Sequence, residues 1–479
     1  MKLQRLLYNI DYLKSKKNTI MSWAVLILVI IAYFDIGLAV GLLLLVILTA
    51  GTFMVLYKIG FRDKQLYLLL TIALLIHLSA ALFINYANFQ PFGGGGGGFK
   101  TAHLIGKAIS ENFKSGNFSL EGVSYYGRSH DPYQGYSLLV GILYTITLPK
   151  MIIGQLFNVW LSMLLVLTAY LIMLELDATP KLAFLTGVII SVYPSYIFYG
   201  SLLLKDGLVA TLVLLGLFLT IKLIKYFSIR NFAIFFIIVL ILNHLRFYVN
   251  YALILTFSIC FILLSNLRFK KKVLVTVIII PLIGLSPHIF DKQGFFGWHT
   301  FNSFFNKEKI SFYHQKAYQP PSALEISEPQ TSVDLTPVFD SEEFSIDPSL
   351  IGTKGYTSTW KREEVDFNKE PVKFLINYST YFSYVLLGPF PFQFTEARHY
   401  FALFETLPWY VLCFFIIIGI YQSIKSKNKI ALPLLVFSIL LTGVMLVFIS
   451  NFGIITRIRI PVFIALLCFI PFAINYLEL

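Results

Sequence analysis

The chain has 479 residues, 57% of them hydrophobic and only 13% charged, with a mean hydropathy of +0.75. A water-soluble chain needs roughly a quarter of its residues charged to cover its surface, so this composition excludes an ordinary soluble domain. The formal net charge of +13 is spread in short clusters between apolar runs, which argues against nucleic acid and fits the positive-inside pattern of membrane proteins.

Residues 1–18 carry Lys2, Arg5, Lys14, Lys16 and Lys17 and are expected on the cytoplasmic side. They run into an apolar stretch with no small-residue cleavage site, so no secretory signal peptide is read there. That stretch, 20–58, is too long for one crossing and predicts two, with Asp35 at the outer turn. Arg62, Asp63 and Lys64 mark the return, and 66–86 predicts a third span ending outside. A polar loop follows. It opens on six glycines, Gly93 to Gly98, and continues as an amphipathic segment over 100–114. Then come Tyr125-Tyr126-Gly127-Arg128-Ser129-His130-Asp131-Pro132-Tyr133 and a short apolar stretch. The glycines with Lys100 and Thr101 nearly spell a P-loop, but the lysine is one residue late and no strand precedes it. The block reads instead as a flexible hinge whose N–H groups, with Lys100, can meet a phosphate.

Further spans are expected at 155–174, 182–204, 206–223, 231–245, 248–264 and 273–290, with the strongest basic cluster at Arg268, Lys270, Lys271 and Lys272. A second polar segment runs from 291 to about 373 and holds 13 of the 25 acidic residues between Asp291 and Glu370. Residues 374–400 are apolar but broken by Gly388-Pro389-Phe390-Pro391, and predict a re-entrant or surface-lying hairpin. Spans at 407–424, 432–450 and 460–476 close the chain. The expected fold is an all-α polytopic membrane protein of the cell membrane with about twelve transmembrane helices and both termini cytoplasmic. It has a large first outer loop carrying juxtamembrane helices and a second large outer loop. The expected divisions are 1–84 (basic segment and three spans), 85–154 (first outer loop), 155–290 (six-span core), 291–406 (outer segment with the hairpin) and 407–479 (three closing spans). No internal repeat is evident. Cys260, Cys413 and Cys468 fall inside apolar runs and read as packing residues.

This parity puts several unusual polar residues on one face. Lys205-Asp206 interrupts one hairpin at its outer turn, and Asn243, His244 and Arg246 interrupt the next. Arg457 and Arg459 flank the last outer turn, and His130-Asp131 precedes a re-entry. Charges near membrane level are costly unless paired or hydrated. Cations kept on the face that the positive-inside rule disfavours point to an anionic ligand, although a short turn needs polar residues in any case and an arginine can snorkel to headgroups. No histidine pair has the i, i+4 spacing of a helical metal site, so no cofactor is expected and a divalent metal has no support.

The first outer loop, the element Asp131-Pro132-Tyr133-Gln134-Gly135-Tyr136-Ser137-Leu138-Leu139, the Tyr193-Pro194 to Lys205-Asp206 hairpin and the closing Arg457-x-Arg459-x-Pro461 carry a resemblance. Together they resemble the GT-C superfamily of integral-membrane glycosyltransferases, in particular the protein mannosyltransferase and aminoarabinose transferase type. The resemblance implies a donor sugar carried on a polyprenyl phosphate, a lipid or glycan acceptor, and chemistry at the outer face. It departs from the family at one place. Where an acidic residue is usual early in the first outer loop, no carboxylate stands between Asn85 and Ser110. The base role would pass to Asp131 first, to Asp206 second, or to Glu111 or Glu121. Lys205, Arg246, Arg457 and Arg459, with Lys100 and His130, would bind the donor phosphate. Two alternatives stand beside this expectation. An O-antigen-type polysaccharide polymerase or ligase uses outer-face arginines without a strict carboxylate base. A lipid-linked saccharide carrier or flippase would want charge deep within spans, where only His77 stands.

Overall fold

Backbone crossing lipid finds no water for its N–H and C=O groups, so an apolar chain of this kind satisfies them within helices. The computed structural model describes residues 22–23, 25–87, 98–118, 120, 134–283, 370–394, 400, 402–426, 428–448 and 452–477, and all regular structure among them is helical. The glycines Gly93 to Gly97, the Tyr125–Tyr133 element with His130 and Asp131, Glu121 and nearly all of the second polar segment lie outside the described residues.

The first helices are α1 (Val25–Phe34), α2 (Ile36–Lys58), α3 (Lys64–Tyr86), α4 (Gly98–Lys114) and α5 (Gln134–Ile146). The middle of the chain forms α6 (Met151–Glu175), α7 (Pro180–Ser191), α8 (Pro194–Gly200), α9 (Lys205–Lys225), α10 (Ile229–Leu245), α11 (Phe247–Leu264) and α12 (Phe269–Ile279). The remainder comprises α13 (Pro371–Leu387), α14 (Leu403–Lys425), α15 (Leu432–Phe448), α16 (Phe452–Ile458), α17 (Ile460–Leu467) and α18 (Ile470–Leu477).

Among the described residues, eight stretches are long and apolar enough to cross a membrane: α2, α3, α6, α9, α11, α14, Lys429–Leu446 and Ile460–Leu477. These helices describe a polytopic membrane protein. Four of the expected spans take other forms. The stretch 182–204 is the bent pair α7 and α8, turned by 64° where Pro194 opens α8, and it counts as a ninth crossing only if the pair is one span. Before Asp35 only the short α1 is described, and α10 has 17 residues. Helix α12 gives way to a 3₁₀ turn at Ile280–Ile283, which contains Pro281. The expected hairpin at 374–400 begins as α13 and turns at Gly388-Pro389.

Side-chain ties sort the helix ends into two sets. At one end Asp35 caps α2 by accepting from the Leu38 N–H (3.0 Å), and Tyr86 at the end of α3 donates to it (2.5 Å). Burial alone would raise the Asp35 carboxyl, but these two bonds, another from the Gly37 N–H and the charge of Lys150 hold it below the usual aspartate range. At the opposite end Tyr170 of α6 donates to Asp63 (3.1 Å), Lys225 of α9 pairs with Glu175, and Asn428 reaches the Leu176 carbonyl (3.4 Å). Helices α6 and α9 and the stretch shared by α17 and α18 are buried along most of their length. Helices α2 and α14 keep broad apolar faces exposed.

Lipid is as apolar as leucine, so helices in it associate through close packing and hydrogen bonds more than through burial. The juxtamembrane pair α4 and α5 illustrates this. A Cβ on Gly106 would come within 2.6 Å of Val140, and one on Gly141 within 2.5 Å of Ile109, so the two helices cross where neither carries a side chain. The carbonyl end of α13 is closed from α14, where Trp409 donates to the Leu386 carbonyl (2.9 Å) and Tyr410 to that of Leu387 (3.1 Å).

Helix α6 ends in a Schellman turn. Ala178 N–H bonds the Met173 carbonyl (3.0 Å), Asp177 N–H bonds that of Leu174 (3.1 Å), and Asp177 takes φ 63°, a position glycine usually fills. The exposed 3.7 Å contact of Asp177 with Lys225 is worth little. Asp177→Gly should therefore raise stability by about 0.5–1 kcal/mol through relief of left-handed strain, read as a higher unfolding temperature in detergent. An unchanged or lower temperature would show that the aspartate is at ease there.

Candidate functional site

Asp206 lies in the first turn of α9, where a helix leaves N–H groups unpaired and favours negative charge. The chain reaches it through the non-helical step from Ser201 to Leu204, and this step is fixed by Asn158 of α6. The fully buried Asn158 amide donates to the carbonyls of Leu202 (2.6 Å) and Leu204 (3.0 Å). Its oxygen accepts from Tyr136 of α5 (3.1 Å). One side chain thus ties α5, α6 and the entry to α9 together.

Two arginines meet the Asp206 carboxylate. Arg246 stands between α10 and α11 with φ −154° and ψ 89°, neither helical nor able to continue either helix. Its N–H bonds the Leu242 carbonyl (2.8 Å) and its own carbonyl accepts from Val249 and Asn250 (both 3.1 Å), so it closes one helix and opens the next. Its guanidinium bonds Asp206 Oδ1 and the Tyr248 hydroxyl (2.7 Å). Arg457, in the last turn of α16, gives Nε (3.0 Å) and Nη2 (2.7 Å) to Asp206 Oδ2. It lies over the Tyr199 ring at 5.8 Å. Asp206 is 4% exposed. Both its oxygens hold guanidinium donors. Lys205 precedes it and adds its charge, so three cationic side chains gather at this carboxylate. Guanidinium and ammonium groups gathered at one end of an apolar bundle have the donors to meet an anion.

A second buried cluster lies beside the first. Arg459 follows Arg457 by two residues and is 1% exposed. Its guanidinium bonds Glu405 Oε1 (2.6 Å) and the carbonyls of Gly388 (2.5 Å) and Val385 (3.3 Å). Glu405 also accepts from Tyr193 (2.7 Å) and Ser195.

No protein-family model and no curated protein matches the chain.

Of the residues singled out in the sequence, Lys205, Asp206, Arg246 and Arg457 stand together, and Arg459 belongs to the neighbouring cluster. Lys100 is elsewhere. His103 of α4 meets Tyr144 (2.9 Å) and Gly106 meets Val140, so α4 runs antiparallel to α5 and Lys100 lies toward the far end of α5. The near end, at Gly135, packs against His244, where an added Cβ would sit 3.5 Å away, beside the Arg246 turn. Glu111 is exposed in the last turns of α4. Asp131 and His130 belong to the segment just before α5, outside the described residues. Among the described residues no group of three His, Cys, Asp or Glu side chains could hold a metal ion. Asn158, Tyr248 and Glu405 were not singled out in the sequence, and Tyr136 and Tyr193 stood there only within the motifs that carry the resemblance, with no role assigned. Glu405 carried the one available signal, a carboxylate two residues before an apolar run.

Removing one partner of a buried ion cluster leaves uncompensated charge. Asp206→Ala, which leaves Arg246 and Arg457 facing each other, should cost about 3–5 kcal/mol, read as loss of folded protein on heating in detergent. A near-native unfolding temperature would mean that the arginines reach water without it.

Proposed function

We propose that the chain is a membrane glycosyltransferase that moves a saccharide from a polyprenyl-phosphate-linked donor to a lipid or glycan acceptor at the outer face of the cell membrane. The observation that carries this reading is the convergence of Lys205, Arg246 and Arg457, drawn from three segments distant in the sequence, on Asp206. The resemblance to GT-C glycosyltransferases in the Asp131–Leu139 element and the Arg457-x-Arg459-x-Pro461 ending supports it. In this reading twelve helices cross the membrane, both termini are cytoplasmic, and the end bearing Asp206 is external.

Nucleotide sugars are not available outside the cell, so an external site implies a lipid-carried donor. The acceptor oxygen forms a bond to the anomeric carbon while the bond from that carbon to the phosphate oxygen breaks. The phosphate leaves with the electron pair, and Arg246, Arg457 and Lys205 stabilise its growing charge. Arginine suits the task because its planar fork binds phosphate oxygens two at a time. The acceptor proton goes to Asp131, the carboxylate assigned as base. Asp206 holds the arginines in register. A second reading, an O-antigen-type ligase or polymerase acting on a lipid diphosphate, is favoured by that capture of Asp206, because a site without a carboxylate base acts through charge stabilisation alone.

Farnesyl phosphate and farnesyl diphosphate should raise the unfolding temperature of the purified protein in detergent, while farnesol should not. A ligand at a hundred times its Kd contributes about 2.7 kcal/mol. Arg457→Lys keeps the charge but loses the fork, and should shrink that rise. Equal responses to farnesol, or none to either phosphate, would remove the phosphate site. A response to the diphosphate alone would favour the ligase reading.

A further inference from the structure

Arg457 and Arg459 are separated by one residue, yet they serve different carboxylates. Arg457 is 19% exposed at its side chain and reaches Asp206, whereas Arg459 is enclosed. The Arg459 guanidinium lies over the Phe463 ring at 4.6 Å, and that ring stacks on Trp409 at 3.6 Å with 6° between the planes. With Glu405 of α14 on one side and the carbonyls of Val385 and Gly388 at the end of α13 on another, it has no room to swing. On the other flank of Arg457, Thr456 meets the Tyr199 hydroxyl (3.3 Å). The backbone that carries Arg457 is therefore held on both sides.

We infer that Arg459 and Glu405 act as positioning residues, fixing the height and direction at which Arg457 is presented to a phosphate at the Asp206 site. This rests on the phosphate reading proposed above. The physical reason is reach. A guanidinium on a long side chain binds phosphate oxygens in pairs only if its backbone is held to within a fraction of an ångström, and a short connector such as α16 supplies no such hold by itself. The tight, charge-neutral Glu405–Arg459 cluster supplies it. Touching no phosphate, the pair acts wholly through the chain between 457 and 459. It also joins the turn after α13 to the site, so the element at Gly388 and the guanidinium at Arg457 share one anchor.

The test is the affinity of farnesyl phosphate, measured by isothermal titration on the full chain in detergent. Glu405→Gln keeps the shape and removes the charge, and Arg459→Lys keeps the charge and removes the fork. Both should weaken binding by about ten- to a hundredfold in the folded fraction, the scale expected when a binding group is displaced by about an ångström. Asp63→Asn is the control. It takes the charge from the Tyr170 tie at the opposite end and weakens it, so it should lower the unfolding temperature and leave the affinity as in the native protein. Native affinity in both Glu405→Gln and Arg459→Lys would overturn the inference and leave the phosphate site standing. Weakening by Asp63→Asn to the same degree would overturn it too, by reducing the effect to stability. A native protein that binds no farnesyl phosphate would instead sink the phosphate reading, and this inference with it.

Discussion

The arrangement turns on one buried carboxylate shared by two guanidinium groups. Asp206, Arg246 and Arg457 come from positions 40 and 251 residues apart, and each stands at a place where a helix begins or ends. In a medium of low polarity such a set is stable only when complete, because a carboxylate or guanidinium stripped of water needs partners at every lone pair or proton. Helices α9, α10, α11 and α16 must therefore run in the directions that bring these ends to one level. The ties at the far end, Tyr170 to Asp63 and Lys225 to Glu175, are met by the same directions.

A further constraint comes from the solvent. The last carbonyls of a helix lack partners, and at membrane level water cannot be counted on to supply them. The chain answers with side chains that carry several donors on a rigid frame. The Asn158 amide serves two carbonyls before α9, and the Arg459 guanidinium serves two at the end of α13. Within the helices the hydroxyls fold back on their own turn, as when Thr168 bonds Leu164 (2.8 Å) and Thr256 bonds Ala252 (2.7 Å). Polar residues in this interior are thus mostly backbone partners, and the cations around Asp206 stand out against them.

Much of the helical layout was legible in the sequence, because apolar runs and the charges between them depend on local composition. The turns at Asp35, Arg62–Lys64 and Arg246 were read where the chain breaks. What depends on pairing across the bundle was not legible. Glu405 fell on the outer side of a run judged to begin at 407, and its partners Tyr193 and Arg459 lie 212 and 54 residues away. Asn158 sits in mid-run, where an amide has no pattern to betray it. Lys100 was grouped with the other cations by its place in a loop, but the antiparallel crossing of α4 and α5 carries it away from them. Residues 182–204 had the length of one span, yet Pro194 divides them.

The end of α13 has one more property. Four successive carbonyls, Val385 to Gly388, are received by Trp409 and Tyr410 of α14 and by Arg459 at the start of α17. A joint of that kind has no gentle way to loosen. Sliding α13 outward by a single turn would strand all four acceptors together in surroundings with nothing to receive them. The junction is therefore binary, seated or undone, and any rearrangement of the chain has to hinge somewhere else.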